Sequence, residues 1–104
     1  MSSQNRTNIP NSLNEHWMPF SDNKSFKKNP RLITDAKGVY LTNHEGKKMI
    51  DGSSGLFCNP LGHGRREITE AVTKQLDKLD YCQPFNQGFG GSFELATRIA
   101  KKTP

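Results

Sequence analysis

The chain has 104 residues, a formal net charge of +5 from 15 Lys and Arg against 10 Asp and Glu, and a mean hydropathy of −0.80. Apolar residues are 32%, and the 9 glycines raise this only to about 41%, below the roughly 45–50% of ordinary domains. Part of a larger protein is therefore expected rather than a self-sufficient domain. No apolar run approaches the roughly 18 residues of a membrane span, Met1 to Asn14 has no secretory core, and the basic residues are scattered without a block of about five like charges. With only Cys58 and Cys82, too few for a disulfide framework, the expectation is a reduced, cytoplasmic protein with no nucleic-acid and no membrane partner.

Residues 1–15, rich in Ser, Asn and Gln, read as a disordered or draped arm. Within it Ser12 or Asn14 is placed to cap a short helical turn. His16-Trp17-Met18-Pro19-Phe20 then gathers the single Trp with a Phe, and Pro19 biases Met18 towards extended backbone. Such a cluster in a polar arm is either an anchor or a ligand contact. Arg31–Thr34, Gly38–Thr42 and Lys48–Asp51 read as three short strands. Asp35-Ala36-Lys37-Gly38 and Asn43-His44-Glu45-Gly46 link them, each a turn closed by Gly at the left-handed position. The product is an antiparallel meander, too small to stand without another surface over one face.

Gly52, Gly55, Gly62 and Gly64 punctuate the next stretch, Ile50 to Gly64, which carries the compact apolar cluster Leu56-Phe57-Cys58. Glycine is entropically costly, so this density marks backbone that turns sharply or approaches something closely. From Glu67 the period changes: Ile68, Ala71, Val72, Gln75, Leu76 and Leu79 repeat at helical spacing. Glu67 and Glu70 at the start and Lys74 and Lys78 at the end suit the helix dipole, and Glu70 with Lys74 is an i,i+4 pair. After Asp80–Phe85 and the link Gly88–Gly91, Ser92 is placed to cap a second helix with Leu95, Ala96, Ile99 and Ala100 on its apolar face. The fold class is α+β, a three-stranded meander followed by two helices.

The histidines have no metal-site spacing. His44 reads as a turn residue, His63 as packing or local hydrogen bonding, and Asp51 as a cap on the loop after its strand. Ser53 and Ser54 lack a nucleophile-elbow context. Gly52-Ser53-Ser54-Gly55 has no following Gly-Lys, and in Gly62-His63-Gly64 the third glycine of a dinucleotide fingerprint is replaced by Glu67. The residues by themselves lead to an aromatic-lined, glycine-rich loop that shapes a pocket or an interface.

From His16 to Pro104 the order of elements resembles the N-terminal segment of the class III (omega) aminotransferases, which use pyridoxal phosphate. The look is closest to their beta-alanine/omega-amino-acid:pyruvate branch. Four stretches carry it: His16–Phe20; Gly38-Val39-Tyr40 with Glu45–Gly52; Gly55–Cys58 with Gly62-His63-Gly64; and Asp80–Phe85 followed by Phe93-Glu94-Leu95-Ala96. The resemblance implies that 16–104 is the N-terminal part of a fold-type I enzyme whose large cofactor-binding domain is absent here. It implies a homodimer that passes an amino group from a small amine such as beta-alanine to a keto acid such as pyruvate. Phe20, Leu56 and Phe57 would line the substrate pocket, and Phe85 would do so from the partner subunit. Phe57 stands where family members commonly carry Trp, and Asn59-Pro60-Leu61 also departs from the usual residues. No catalytic, cofactor-binding or metal-binding residue is assigned in this chain, which lacks the catalytic lysine and is expected to be inactive alone. A GABA- or diaminopelargonate-type class III transaminase is the alternative within the family, and a small basic binding module the alternative outside it.

Overall fold

A computed structural model describes residues 9–104, so residues 1–8 of the expected arm lie outside the described residues. The chain divides into two compact units, Met1–Arg65 and Arg66–Pro104.

The first unit opens on an element with little sequence signal. Helix α1, Asn23–Lys28, has one apolar residue, Phe26, so periodicity cannot reveal it. Its ends account for it. The Asp22 carboxylate accepts from the Ser25 amide at 3.2 Å, and Lys27 and Lys28 occupy the last turn, the favourable end of the dipole. The backbone hydrogen bond from Ser25 holds the Asp22 carboxyl below its ordinary value. Asn23 is buried and reaches back along the chain. Its Oδ1 accepts from the Met18 amide at 2.8 Å, and its Nδ2 donates to the carbonyls of Met18 at 2.9 Å and Ser21 at 3.1 Å. One amide thereby closes the aromatic segment onto the helix, while Lys27 Nζ donates to the Asn14 carbonyl at 3.2 Å. The helical turn expected under Ser12 or Asn14 is a plain turn. Ser12 Oγ accepts from the Asn14 amide at 3.4 Å, but Leu13 is left-handed at φ +63, which ends any helix there.

Strands β1 (Ile33–Lys37), β2 (Tyr40–Asn43) and β3 (Lys48–Ile50) form an antiparallel sheet in the order β1-β2-β3. The meander is as expected, but β1 runs through the segment expected to be a turn. Lys37 pairs with Tyr40, so the reversal is confined to Gly38 and Val39, with Gly38 at φ +58. A two-residue link needs positive φ at its first position, and Gly38 is the only candidate there. The register slips between Ile33 and Asp35, and Thr34 Oγ1 donates at 3.2 Å to the carbonyls of Thr42 and Asn43 across that irregularity. The β2–β3 turn follows its sequence grammar. Asn43 Oδ1 accepts from the amides of Glu45 at 3.1 Å and Lys47 at 2.8 Å, and Gly46 is left-handed at φ +81. His44 is a turn residue and is buried; its amide donates to the Leu32 carbonyl at 2.9 Å.

The second unit contains α3, Arg66–Lys78, and α4, Gly90–Ala100. Glu70 pairs with Arg66 at 3.1 Å, one turn towards the N-terminus, rather than with the expected Lys74; both partners are exposed, so the pair is worth little. Helix α4 starts two residues before Ser92. Phe89 holds the cap position, and Ser92 Oγ donates to its carbonyl at 2.7 Å from inside the first turn. A methyl at Gly91 would meet the Phe89 ring and turn it aside. Ile68, Val72 and Leu76 of α3, and Leu79 just after it, are all exposed, and among the described residues Pro30 is the one apolar residue that is buried.

Replacing Asn23 by Ala removes three hydrogen bonds from the Met18–Ser21 segment. The expected result is faster hydrogen exchange at the Met18 amide by roughly ten- to a hundredfold, the scale of about 1–3 kcal/mol for orphaned buried groups. Unchanged exchange in Asn23→Ala would mean that the arm is held by something else.

Candidate functional site

The glycine-rich segment leaves β3 at Asp51 and returns at His63, and both ends are moored to the same hairpin. The Asp51 amide donates to the Val39 carbonyl at 2.8 Å. Gly38 and His63 exchange two backbone hydrogen bonds, at 2.9 and 2.8 Å. Gly62 makes the return possible. It lies at φ +87, and an added Cβ would stand 3.2 Å from the Gly38 carbonyl oxygen. This is the close approach that the glycine density announces.

Between the moorings the chain makes one turn of the wrong hand. Ser54, Gly55, Leu56 and Phe57 have φ of +51, +58, +62 and +64, and helix α2, Ser54–Phe57, is a left-handed turn. The amides of Phe57, Cys58 and Asn59 close it by donating to the carbonyls of Ser53 and Ser54 at 2.9–3.0 Å. Left-handed helix costs an L-residue about 1–2 kcal/mol, so the three non-glycine residues store several kcal/mol. Gly55 is the only sign of this in the sequence; Leu and Phe are poor candidates for such backbone.

Three side chains brace the turn. Asp51 Oδ2 meets His63 Nε2 at 2.8 Å, and His63 Nδ1 meets Asn59 Nδ2 at 2.8 Å. Asp51 Oδ1 accepts from the Gly55 amide at 3.2 Å and from Ser53 Oγ at 3.4 Å. An ionised carboxylate can only accept, so Nε2 carries the imidazole proton, and Nδ1 accepts from the Asn59 amide. The Asp51 side chain is 7% exposed and that of His63 23%. The hydrogen bond from His63, then that from the Gly55 amide, lower the Asp51 pKa below its ordinary value, against a smaller opposing effect of burial. A cavity of about 50 Å³ lies beside the row, lined by Gly38, Val39, Asp51, Asn59, Pro60 and His63 among others. That volume admits a water molecule, whose share of liquid is about 30 Å³, and no substrate.

The loop therefore has little backbone to offer a ligand. The amides of Gly55, Phe57, Cys58, Asn59, Gly62 and His63 all donate within the structure. A phosphate cradle needs amides that are unengaged and convergent, and these six are not available for one. The Asp51 carboxylate is likewise occupied. What remains is side-chain surface: Leu56 is 74% exposed and Phe57 84%. Phe20 is fully exposed at φ +49 and lines an open cleft of about 550 Å³ with Phe26, Asn29 and Arg31. Phe85 is exposed in the second unit. Asp51 and His63 take the local roles read from the sequence, cap and hydrogen-bonding partner, but in one row with Asn59. The signal that could have revealed it is a carboxylate, an amide and an imidazole at the two ends of one glycine-rich loop.

Residues 22–104 match the family described as Aminotransferase class-III. The chain is 49% identical over 92 residues to the beta-alanine–pyruvate aminotransferase of Pseudomonas aeruginosa, covering 88% of this chain and 20% of that protein. It is 47% identical over 92 residues to the omega-amino acid–pyruvate aminotransferase of Pseudomonas putida, with the same coverage. The crystal structure of the thermostable (S)-enantioselective omega-transaminase from Thermomicrobium roseum matches with a TM-score of 0.80 at 31% identity, over 86% of this chain and 20% of that one. The chain thus spans about a fifth of the length of these relatives.

Because folding lowers the Asp51 pKa, its contribution to stability is complete above the ordinary carboxylate value and is lost as pH falls through the depressed one. The carboxyl carbon of Asp51, followed by NMR, is expected to titrate below a normal Asp and to move up towards it in His63→Leu; an unmoved midpoint would remove His63 as the main cause. Gly62→Ala is expected to destabilise the loop by about 1–2 kcal/mol, because it adds left-handed strain to a tight backbone contact. Faster hydrogen exchange at the Gly38 and His63 amides would report it.

Proposed function

The chain belongs to the class III aminotransferase family, and from that premise we propose that it supplies the N-terminal segment of a transaminase that moves an amino group from an omega-amino acid or amine, such as beta-alanine, to pyruvate. Residues 16–104 form that segment, behind an arm of residues 1–15. The observation that carries the reading is the left-handed turn, which presents Leu56 and Phe57 outwards from backbone already satisfied by its own hydrogen bonds. Such a loop serves as a wall. In the assembled enzyme, a cytoplasmic homodimer, Phe20, Leu56 and Phe57 line the substrate pocket and Phe85 enters it from the partner subunit.

Pyridoxal phosphate, when bound to the full-length enzyme, supplies the carbanion stabilisation that transamination requires. No residue of this chain is assigned to hold it. The chain's share of the chemistry is to orient the amine and to exclude water around it, by aromatic and aliphatic surface. Phe57 in place of the usual Trp keeps that surface aromatic.

Joining this chain to the remaining four-fifths of the Pseudomonas aeruginosa relative tests the proposal. The fusion is expected to form alanine from beta-alanine and pyruvate. The 104-residue chain alone is expected to form none, and to leave no pyridoxal phosphate on any lysine after borohydride reduction. A folded, cofactor-loaded fusion without activity towards beta-alanine, GABA or an arylalkylamine would overturn the assignment, and trapping at one lysine of the free chain would overturn its inactivity.

A further inference from the structure

The Asp51–His63–Asn59 row takes no part in the wall itself, yet the wall's shape depends on it. The left-handed turn stores strain in Ser54, Leu56 and Phe57, and strain of this kind persists only where the surroundings over-determine it. The turn's own amide bonds do not choose its hand, because a right-handed turn offers the same donors to the same carbonyls. Leu56 and Phe57 do not choose it either, since both side chains are exposed. The hand is selected by what fixes the two ends of the turn relative to one another. Asp51 lies just before the turn and is moored to Val39, Asn59 lies just after it, and His63 is moored to Gly38 and bridges the two. The imidazole is a rigid strut with a 2.8 Å hydrogen bond at each nitrogen. Asp51 also grips the turn from within, through the Gly55 amide.

We infer that Asp51, His63 and Asn59 are positioning residues that hold Ser54–Phe57 in its left-handed turn, and so decide where Leu56 and Phe57 stand and which amines fit against them. The inference rests on the transaminase reading for its substrate class. The row also has a polarity: carboxylate accepting, imidazole donating at Nε2 and accepting at Nδ1, carboxamide donating. Exchanging the two end groups rebuilds it in reverse. An amide at position 51 then donates to Nε2, Nδ1 carries the proton and donates to a carboxylate at position 59, and the amide oxygen at position 51 still accepts from Gly55. Both singly changed rows lose a bond or must reorganise, whereas the exchanged pair conserves every bond and the charge.

The test uses the fusion with the Pseudomonas aeruginosa relative in four forms: parent, Asp51→Leu, Asn59→Ala, and the exchanged pair Asp51→Asn with Asn59→Asp. Two quantities are read. One is the rate of chymotryptic cleavage after Leu56 or Phe57; the other is kcat/KM for an arylalkylamine relative to that for beta-alanine. Asp51→Leu is expected to raise cleavage by roughly tenfold or more, the scale of one lost charge-assisted hydrogen bond, and to shift the amine ratio by about fivefold or more. Asn59→Ala, which cuts one end of the row and keeps the Asp51–His63 hydrogen bond, is expected to move both in the same direction by roughly half as much on a logarithmic scale. It carries the comparison if Asp51→Leu does not fold. The exchanged pair is expected to return both quantities to within about threefold of the parent.

Cleavage unchanged in the single variants, or an exchanged pair no better than they are, overturns the clamp. Faster cleavage with an unaltered amine ratio overturns the link from clamp to specificity, since a merely structural role would leave that ratio unmoved. An inactive parent fusion overturns instead the transaminase reading and the substrate half of the inference with it, while the cleavage comparison still decides the clamp.

Discussion

The 2.8 Å contact between Asp51 and His63 joins two points twelve residues apart and makes one structure of what would otherwise be a hairpin followed by a long glycine-rich excursion. Its geometry depends on the backbone below it. Asp51 is placed by Val39, His63 by Gly38, and the approach of the returning strand by the absence of a side chain at Gly62. With the ends fixed, the intervening residues must fit a set span, and a left-handed turn is the solution adopted. A charge-assisted hydrogen bond to a carboxylate with little solvent exposure is among the stronger local contacts available to a short loop. Here its effect is to convert a permissive, glycine-rich sequence into a single conformation.

The architecture was legible in the sequence where one pattern decides it. The meander follows from three short strand-like runs and from Gly46 at the end of its turn, and α3 follows from the helical spacing of Ile68, Val72, Leu76 and Leu79. What escaped depends on tertiary context. Strand β1 extends to Lys37 because pairing with Tyr40 outweighs the turn grammar of Asp35–Gly38. Helix α1 has no apolar period, and its existence rests on Asp22 and Asn23, polar residues whose partners cannot be read from spacing. The handedness of Ser54–Phe57 was not accessible, because only Gly55 among the four favours it by type. Convergence of Phe20, Leu56, Phe57 and Phe85 on one site is a long-range property that no local pattern encodes.

The uncovered apolar stripe of α3 bears on energetics more than on topology. A helix of 13 residues sits near the roughly 12–15-residue length at which isolated helices are marginal in water. Dipole-matched ends and an exposed Arg66–Glu70 pair add only tenths of a kcal/mol each. Burial is the large term still available to it, at about 25 cal/mol per Å² of apolar surface. The hydrogen-bonded parts of the first unit differ in kind. The Asn23 cluster and the Asp51 row are specified by directional bonds that do not depend on an apolar core, so local precision around the loop is set by a different physical term from the one that would stabilise the helices.

That separation leaves the exposed side chains of the turn outside the network that shapes it. Leu56 and Phe57 contribute backbone to the turn but, standing exposed, add little to its stability through their side chains. Exchanging one unbranched or aromatic side chain for another at either position alters the exposed surface and leaves the bracing row intact. β-Branched residues fit left-handed backbone poorly and would strain it further. Glycine would relieve the strain at φ +62 or +64 and delete the wall with it. Large apolar side chains standing where glycine would be more stable place the loop on the functional side of the usual trade between stability and activity.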